Sequence, residues 1–136
     1  MDLKTIAFFN GIDASVIKEV ESHSSEKKYD SARVIFEKGD PADHLYFLKQ
    51  GEIKLFLREK DQTIYTLRKP GEVFGWSAIV ENGVYTSSAA CKTASSVIRI
   101  SRESIKDIFN RHPDSAVTFY QRIGNVFSQR LTTVIS

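Results

Sequence analysis

The sequence predicts a mainly-β domain with flanking helices. An antiparallel sandwich or barrel sits between a helical lead-in and a long C-terminal helix. Three observations carry this. Short apolar runs alternate with turn residues from Lys27 to Ile100. The hydrophobic period is helical on either side of that stretch. And one stretch, Pro70 to Cys91, interrupts the strands with enough non-strand sequence for about one helical turn.

The chain has 136 residues, enough for one domain with a real core. Its expected division is a helical lead-in over 1–25, a barrel over 26–101 that carries the interrupting stretch at 70–91, and helices over 102–136. Nineteen Lys and Arg against seventeen Asp and Glu leave a net charge of +2. That balance offers no general electrostatic case for nucleic acid. The single cysteine, Cys91, excludes an internal disulfide. No secretory signal, long apolar span, repeat or low-complexity segment is visible, so a cytoplasmic protein with no membrane contact is expected.

In the lead-in, Ile6, Phe8 and Phe9 form an apolar cluster closed by the turn signal Asn10-Gly11. Asp13 is placed to cap a helix whose apolar face holds Val16, Ile17 and Val20. The polar run Glu21 to Lys28, with His23, reads as a solvated connection.

The strands follow. Val34-Ile35-Phe36 ends at Gly39-Asp40-Pro41. Leu45-Tyr46-Phe47-Leu48 ends at Gln50-Gly51-Glu52. Ile53, Leu55 and Leu57 alternate with Lys54, Phe56 and Arg58. Ile64 to Leu67 ends at Lys69-Pro70-Gly71, and Val97 to Ile100 lies beyond the interruption. Spacing of this kind suits an antiparallel sandwich or barrel.

Within the interruption, Val73-Phe74 leads to Gly75, then to the short helical segment Trp76 to Val80. The chain leaves it through Asn82-Gly83 and returns to strand-like residues at Thr86 to Ala90. A glycine opening a helix can present unpaired N–H groups to an anion. On local sequence alone, the better reading is that Gly75 merely lets the chain bend.

After Ser101, Ile105, Ile108 and Phe109 share a helical face that closes near Asn110. Pro113 and Asp114 suit the first turn of a last helix. There Val117, Tyr120, Gly124, Phe127, Leu131 and Val134 recur at steps of three and four, which is heptad spacing with a small residue in the seam. Two readings stand together: a helix packing this face on the barrel, or a dimer helix pairing with its copy.

Nothing in the chain reads as catalytic. His23, His44 and His112 lack metal-ligand spacing, and no metal is expected. The serines lack a nucleophile-elbow pattern. Cys91 falls in a predicted strand among small residues and reads as core. Lys27-Lys28 and Arg68-Lys69 read as solvated basic pairs.

The run Ile35-Phe36-Glu37-Lys38-Gly39-Asp40-Pro41-Ala42-Asp43-His44-Leu45-Tyr46-Phe47-Leu48-Lys49-Gln50-Gly51 resembles the first signature of the cyclic nucleotide-binding domain family. Phe74-Gly75, Ala78-Ile79, Thr86, Ala89 and Cys91 fit that family's phosphate-binding cassette. The resemblance runs from about Phe8 to the C-terminus and is closest to the effector half of catabolite-activator-type bacterial regulators. It implies an antiparallel β-roll or jelly-roll barrel with N-terminal helices, a cassette helix and a long C-terminal helix. It also implies a ligand set of Phe36 and Leu55 beside the base, with Phe74, Gly75, Trp76, Ser77, Ala78, Tyr85, Thr86 and Ser87 around the cassette.

Two anchors depart from the pattern. The family's Glu after the glycine, which holds the ribose 2′-hydroxyl, is replaced by Trp76. Its Arg, which pairs with the cyclic phosphate, is replaced by Tyr85. Glu72 and Arg68 are near, but neither stands in the matching position.

The expectation is therefore a non-catalytic sensor. It would need no cofactor other than a cyclic nucleotide or another small anionic effector, would form a homodimer through its last helix, and would bind cAMP and cGMP poorly. From another class comes a structural or interaction module whose pocket is closed by Trp76 and Tyr85. A third reading is the effector half of a transcription regulator. The chain stops at Ser136, where such regulators continue toward a helix-turn-helix, so DNA binding by this chain alone is not expected.

Overall fold

The computed structural model describes residues 2–79 and 83–135, with side chains through Leu131. Among the described residues, eight strands form two antiparallel four-stranded sheets. The strands are β1 (Ser24–Tyr29), β2 (Val34–Phe36), β3 (His44–Gln50), β4 (Ile53–Leu57), β5 (Gln62–Leu67), β6 (Val73–Phe74), β7 (Ser88–Cys91) and β8 (Ser95–Ser101). One sheet runs in the order β1-β8-β3-β6 and the other β2-β7-β4-β5. The α-helices are α1 (Ala14–Ser22), α2 (Arg102–Arg111) and α3 (Pro113–Ile135). Short 3-10 turns lie at Leu3–Thr5, Ala7–Phe9, Arg58–Lys60 and Trp76–Ile79.

The apolar block Leu45 to Leu48 has no polar alternation because both faces of β3 are covered. Tyr46 and Leu48 point between the sheets, with Phe36, Ile53, Leu55, Leu67, Ala89, Cys91 and Val97. Leu45 and Phe47 point the other way, into a second core with the helical residues Phe8, Phe9, Val16, Ile105, Phe109 and Phe119. A strand buried on both faces must read as a continuous apolar run.

Local chemistry sets the helix starts. Asp13 Oδ1 accepts from Ser15 N–H at 2.9 Å and Ser101 Oγ accepts from Ser104 N–H at 3.1 Å, each satisfying a first-turn donor. Glu19 of α1 then receives Arg111 at 2.7 Å and His112 at 2.6 Å, tying α1 to the α2–α3 corner.

One expectation is corrected here. The polar run Glu21 to Lys28 is not only a connection, because Ser24–Tyr29 forms β1, paired along its length with β8. It is an edge strand with neighbours on one side and mostly exposed side chains, so no apolar alternation marks it. The alternation expected from Ile53 to Arg58 is kept: Phe56 is buried on the face it shares with Lys54 and Arg58, whose cations lie 4.9 and 5.3 Å from its ring centroid. The pairing with β5 shifts register between Leu55 and Phe56.

In α3, Phe119 and Ile123 pack into the core. The heptad residues point outward instead: Val117, Tyr120, Phe127 and Leu131 are 60%, 40%, 48% and 46% exposed. A side chain at Gly124 would meet open space. The side chain of Val134 lies outside the described residues, as do Val80 and Asn82.

Candidate functional site

The cassette begins where the Pro70-Gly71 turn delivers β6. Gly75 follows with φ +77°, and an added Cβ would lie 2.9 Å from Tyr46 Cδ1 and 3.2 Å from the His44 carbonyl. Only glycine fits that close approach without strain. The helical segment expected from Trp76 to Val80 is a 3-10 turn over Trp76–Ile79, with Ala78 N–H donating to the Gly75 carbonyl at 3.2 Å.

Eight of the ten residues assigned to the ligand set surround one small cavity: Phe36, Leu55, Gly75, Trp76, Ser77, Tyr85, Thr86 and Ser87. Phe74 and Ala78 do not line it. Both are fully buried between the sheets. Phe74 stacks on Tyr46, with centroids 4.9 Å apart. Their period-matched apolar character belongs to the core.

The cavity measures about 40 Å³. Ligand sites run to about 300–1,000 Å³, and a single water needs about 10–15 Å³. This one therefore has room for a few waters at most.

Tyr85 is the reason. Its ring is 5% exposed and lies on Phe36 with centroids 3.7 Å apart and planes at 10°. Its hydroxyl donates to the His44 carbonyl at 2.7 Å and accepts from His44 N–H at 3.3 Å. Its backbone is clamped as well: Tyr85 N–H donates to the Asp40 carbonyl at 3.0 Å, and Gly39 N–H to the Tyr85 carbonyl at 2.8 Å. Burial pushes the phenol well above its ordinary pKa, so it remains a neutral donor.

Trp76 makes contacts on two sides. It borders the cavity, but its ring meets Phe127 of α3 edge to face, centroids 5.9 Å apart at 85°. The Arg130 guanidinium lies 4.9 Å from the same ring. Cassette and long helix are joined through this indole.

The nearby charged pair is engaged elsewhere. Glu72 accepts from Arg68 N–H and Lys69 N–H, both at 2.9 Å, and from the Tyr65 hydroxyl. Burial alone would raise its carboxyl, but the hydrogen bonds from Tyr65, Lys69 and Arg68 hold it below the usual range. Arg68 Nε donates to Glu52 at 3.0 Å.

His44, half buried beside Arg99, has its pKa lowered first by burial and then by that charge. Cys91 is buried in the sandwich core. Among the described residues, no group of three or more His, Cys, Asp or Glu side chains could hold a metal ion, and no helix is long and apolar enough to cross a membrane.

The sequence reasoning missed Arg130, 8% exposed on α3. A signal for it existed. Phe119, Ile123, Val126 and Arg130 follow one another at steps of four, three and four, which marks one helix face.

Comparison with known proteins agrees with this architecture. The profile of the cyclic nucleotide-binding domain matches residues 26–112. A CRP-like cAMP-activated global transcriptional regulator of Mycobacterium tuberculosis is 25% identical over 114 residues, which cover 82% of this chain and 51% of that protein. A cAMP-dependent protein kinase regulatory subunit of Aspergillus fumigatus is 30% identical over 79 residues, 58% of this chain and 19% of that one. The crystal structure of a chain described as a cyclic nucleotide-binding protein from Geobacter metallireducens superposes with TM-score 0.85 at 25% identity, covering 95% of each chain. The chain thus spans about half the length of the bacterial regulators it matches.

Proposed function

This chain belongs to the cyclic nucleotide-binding domain family, and on that premise we propose that it is a non-catalytic regulatory module that acts through its last helix. In the conformation described here, Tyr85 stands where a nucleotide would lie. The observation that carries this reading is the Tyr85 ring stacked on Phe36, which leaves about 40 Å³ in the cassette.

The charge argument points the same way. A cyclic nucleotide carries one negative charge, and losing one member of a buried charge pair costs about 2–5 kcal/mol. At about 1.4 kcal/mol per tenfold, cAMP and cGMP should bind with Kd on the order of tens of micromolar or weaker.

Output through α3 is supported by its exposed apolar stripe and by the groove beside it. Trp76, Thr86, Tyr120, Gly124 and Phe127 line an apolar groove of about 420 Å³ that adjoins the stripe. A second copy of the chain, paired helix to helix, would cover both. No duplex DNA contact is proposed for this chain by itself, whose 136 residues carry a net charge of +2.

A second reading keeps a ligand at the cassette. Related proteins are cAMP-activated or cAMP-dependent by name, and the cavity would enlarge if Tyr85 left Phe36. Titration of cAMP and cGMP against the chain, followed by calorimetry and by emission of its single tryptophan, separates the two. Weak or absent binding supports the plugged cassette. Sub-micromolar binding, abolished by Gly75→Pro, would replace it with the liganded reading.

A further inference from the structure

Behind α3, on the side away from its exposed stripe, lies a second cavity of about 600 Å³. This volume falls within the usual range for small-molecule sites. Ile6 and Phe8 form one wall, the Pro70–Val73 turn another, and α3 contributes Arg122, Val126 and Arg130. At about 100° per residue, Arg122 and Val126 project roughly opposite Tyr120, Phe127 and Leu131. Pairing through the stripe would therefore leave this cavity open.

Its charge is one-sided. Lys69, Arg122 and Arg130 contribute +3 and Glu72 −1, so the lining carries +2. Glu72 is already engaged by Tyr65, Arg68 and Lys69. Arg122 donates to the carbonyls of Ala7 at 3.3 Å, Phe8 at 2.6 Å and Asn10.

Arg130 is engaged by Tyr65 and by the charge of Glu72, but one of its nitrogens is not. It is 92% buried, with its guanidinium 4.5 Å from the Tyr65 ring and 4.9 Å from the Trp76 ring. Its Nη1 is buried and has no hydrogen-bond partner. A buried cationic N–H without an acceptor is costly, and such groups are rare without a reason.

We propose that this cavity is an effector site separate from the cassette, taking a small organic anion. Its carboxylate or phosphate pairs with the Arg130 guanidinium, whose buried Nη1 turns toward the cavity to donate, and its apolar body lies against Ile6, Phe8 and Val126. Arg130 also faces Trp76, so occupancy bears on the junction between cassette and long helix. The proposal stands whether or not the cassette is plugged.

The test titrates the chain with benzoate, phenyl phosphate and inorganic phosphate, read by calorimetry and by Trp76 emission. Saturable one-to-one binding is expected for benzoate or phenyl phosphate, and whichever binds more tightly identifies the head group. Inorganic phosphate, lacking the apolar body, should bind at least tenfold more weakly. Arg130→Met should weaken binding by about tenfold or more, the loss of one hydrogen bond to a charged group. Asn125→Phe, at an exposed lining position of α3, should block the site sterically and decides the matter if Arg130→Met does not fold. No saturable response to any probe would overturn the proposal, as would binding that survives both α3 variants.

Discussion

The ring of Tyr85 lies flat on that of Phe36, 3.7 Å between centroids and 10° from parallel, in the wall of the small cavity beside Gly75. The stack is anchored at its polar end by His44 and along its backbone by Gly39 and Asp40. A side chain held at so many points is part of the core.

Tyr85→Ala should therefore behave as a core truncation, lowering stability by about 3–5 kcal/mol. Tyr85→Phe keeps the stack and loses only the hydroxyl bonds to His44, at about 1 kcal/mol. Denaturant midpoints of the two variants check this. Near-equal losses would mean that the hydroxyl, rather than the stack, holds the ring.

Gly75→Ala should destabilise by about 1–3 kcal/mol, because both its positive φ and the 2.9 Å approach to Tyr46 resist a Cβ. Thermal unfolding of the variant gives the answer. A change within about 0.5 kcal/mol, the usual range for a bland surface substitution, would show that the loop relaxes freely.

Restoring the family's anchors with the double change Trp76→Glu and Tyr85→Arg should raise cyclic nucleotide affinity. The gain has a structural cost, because Trp76 also packs on Phe127 and Arg130. Tyr85→Arg alone should thus be the better-folded variant. Calorimetry with cAMP on wild type, single and double variants is the measurement, and unchanged affinity in both variants would count against the lost-anchor argument.

Leu131 is 46% exposed, so Leu131→Asp should leave monomer stability within about 0.5 kcal/mol while disrupting self-association. Each apolar side chain buried by helix pairing contributes about 1.5–3 kcal/mol before association costs. Sedimentation of both proteins is decisive. A wild type that stays monomeric at high micromolar concentration removes the dimer from the proposed function.

His44 gives the pH dependence. Burial and Arg99 depress its folded pKa below the ordinary value of about 6.5. The unfolded chain then binds the extra proton first, so stability is fully present above pH ~6.5 and falls as pH drops toward the folded pKa. His44→Asn should flatten the stability profile below pH ~6.5. An unchanged slope there would assign the dependence to other groups.

By itself the sequence determined the fold class and the family. Strand and turn chemistry, the glycines at 39, 51 and 75, and caps such as Asp13 and Ser101 are local, and locally encoded features can be read one residue at a time. The apolar block Leu45 to Leu48 was legible as a strand and the heptad steps of α3 as one helix face; that both faces of the first are covered and that Val117, Tyr120, Phe127 and Leu131 are left exposed came from the structure.

What only the tertiary structure decided is where side chains meet across long separations. The edge strand β1 carries no apolar period because one side of it faces solvent. Tyr85 closes the cassette because the chain brings it onto Phe36, forty-nine positions earlier, and Trp76 turns to α3 because Phe127 and Arg130 arrive there. The buried guanidinium of Arg130 was equally hidden. Its position in the chain matches an inward helix face, but its burial depends on Tyr65 and Trp76 closing over it.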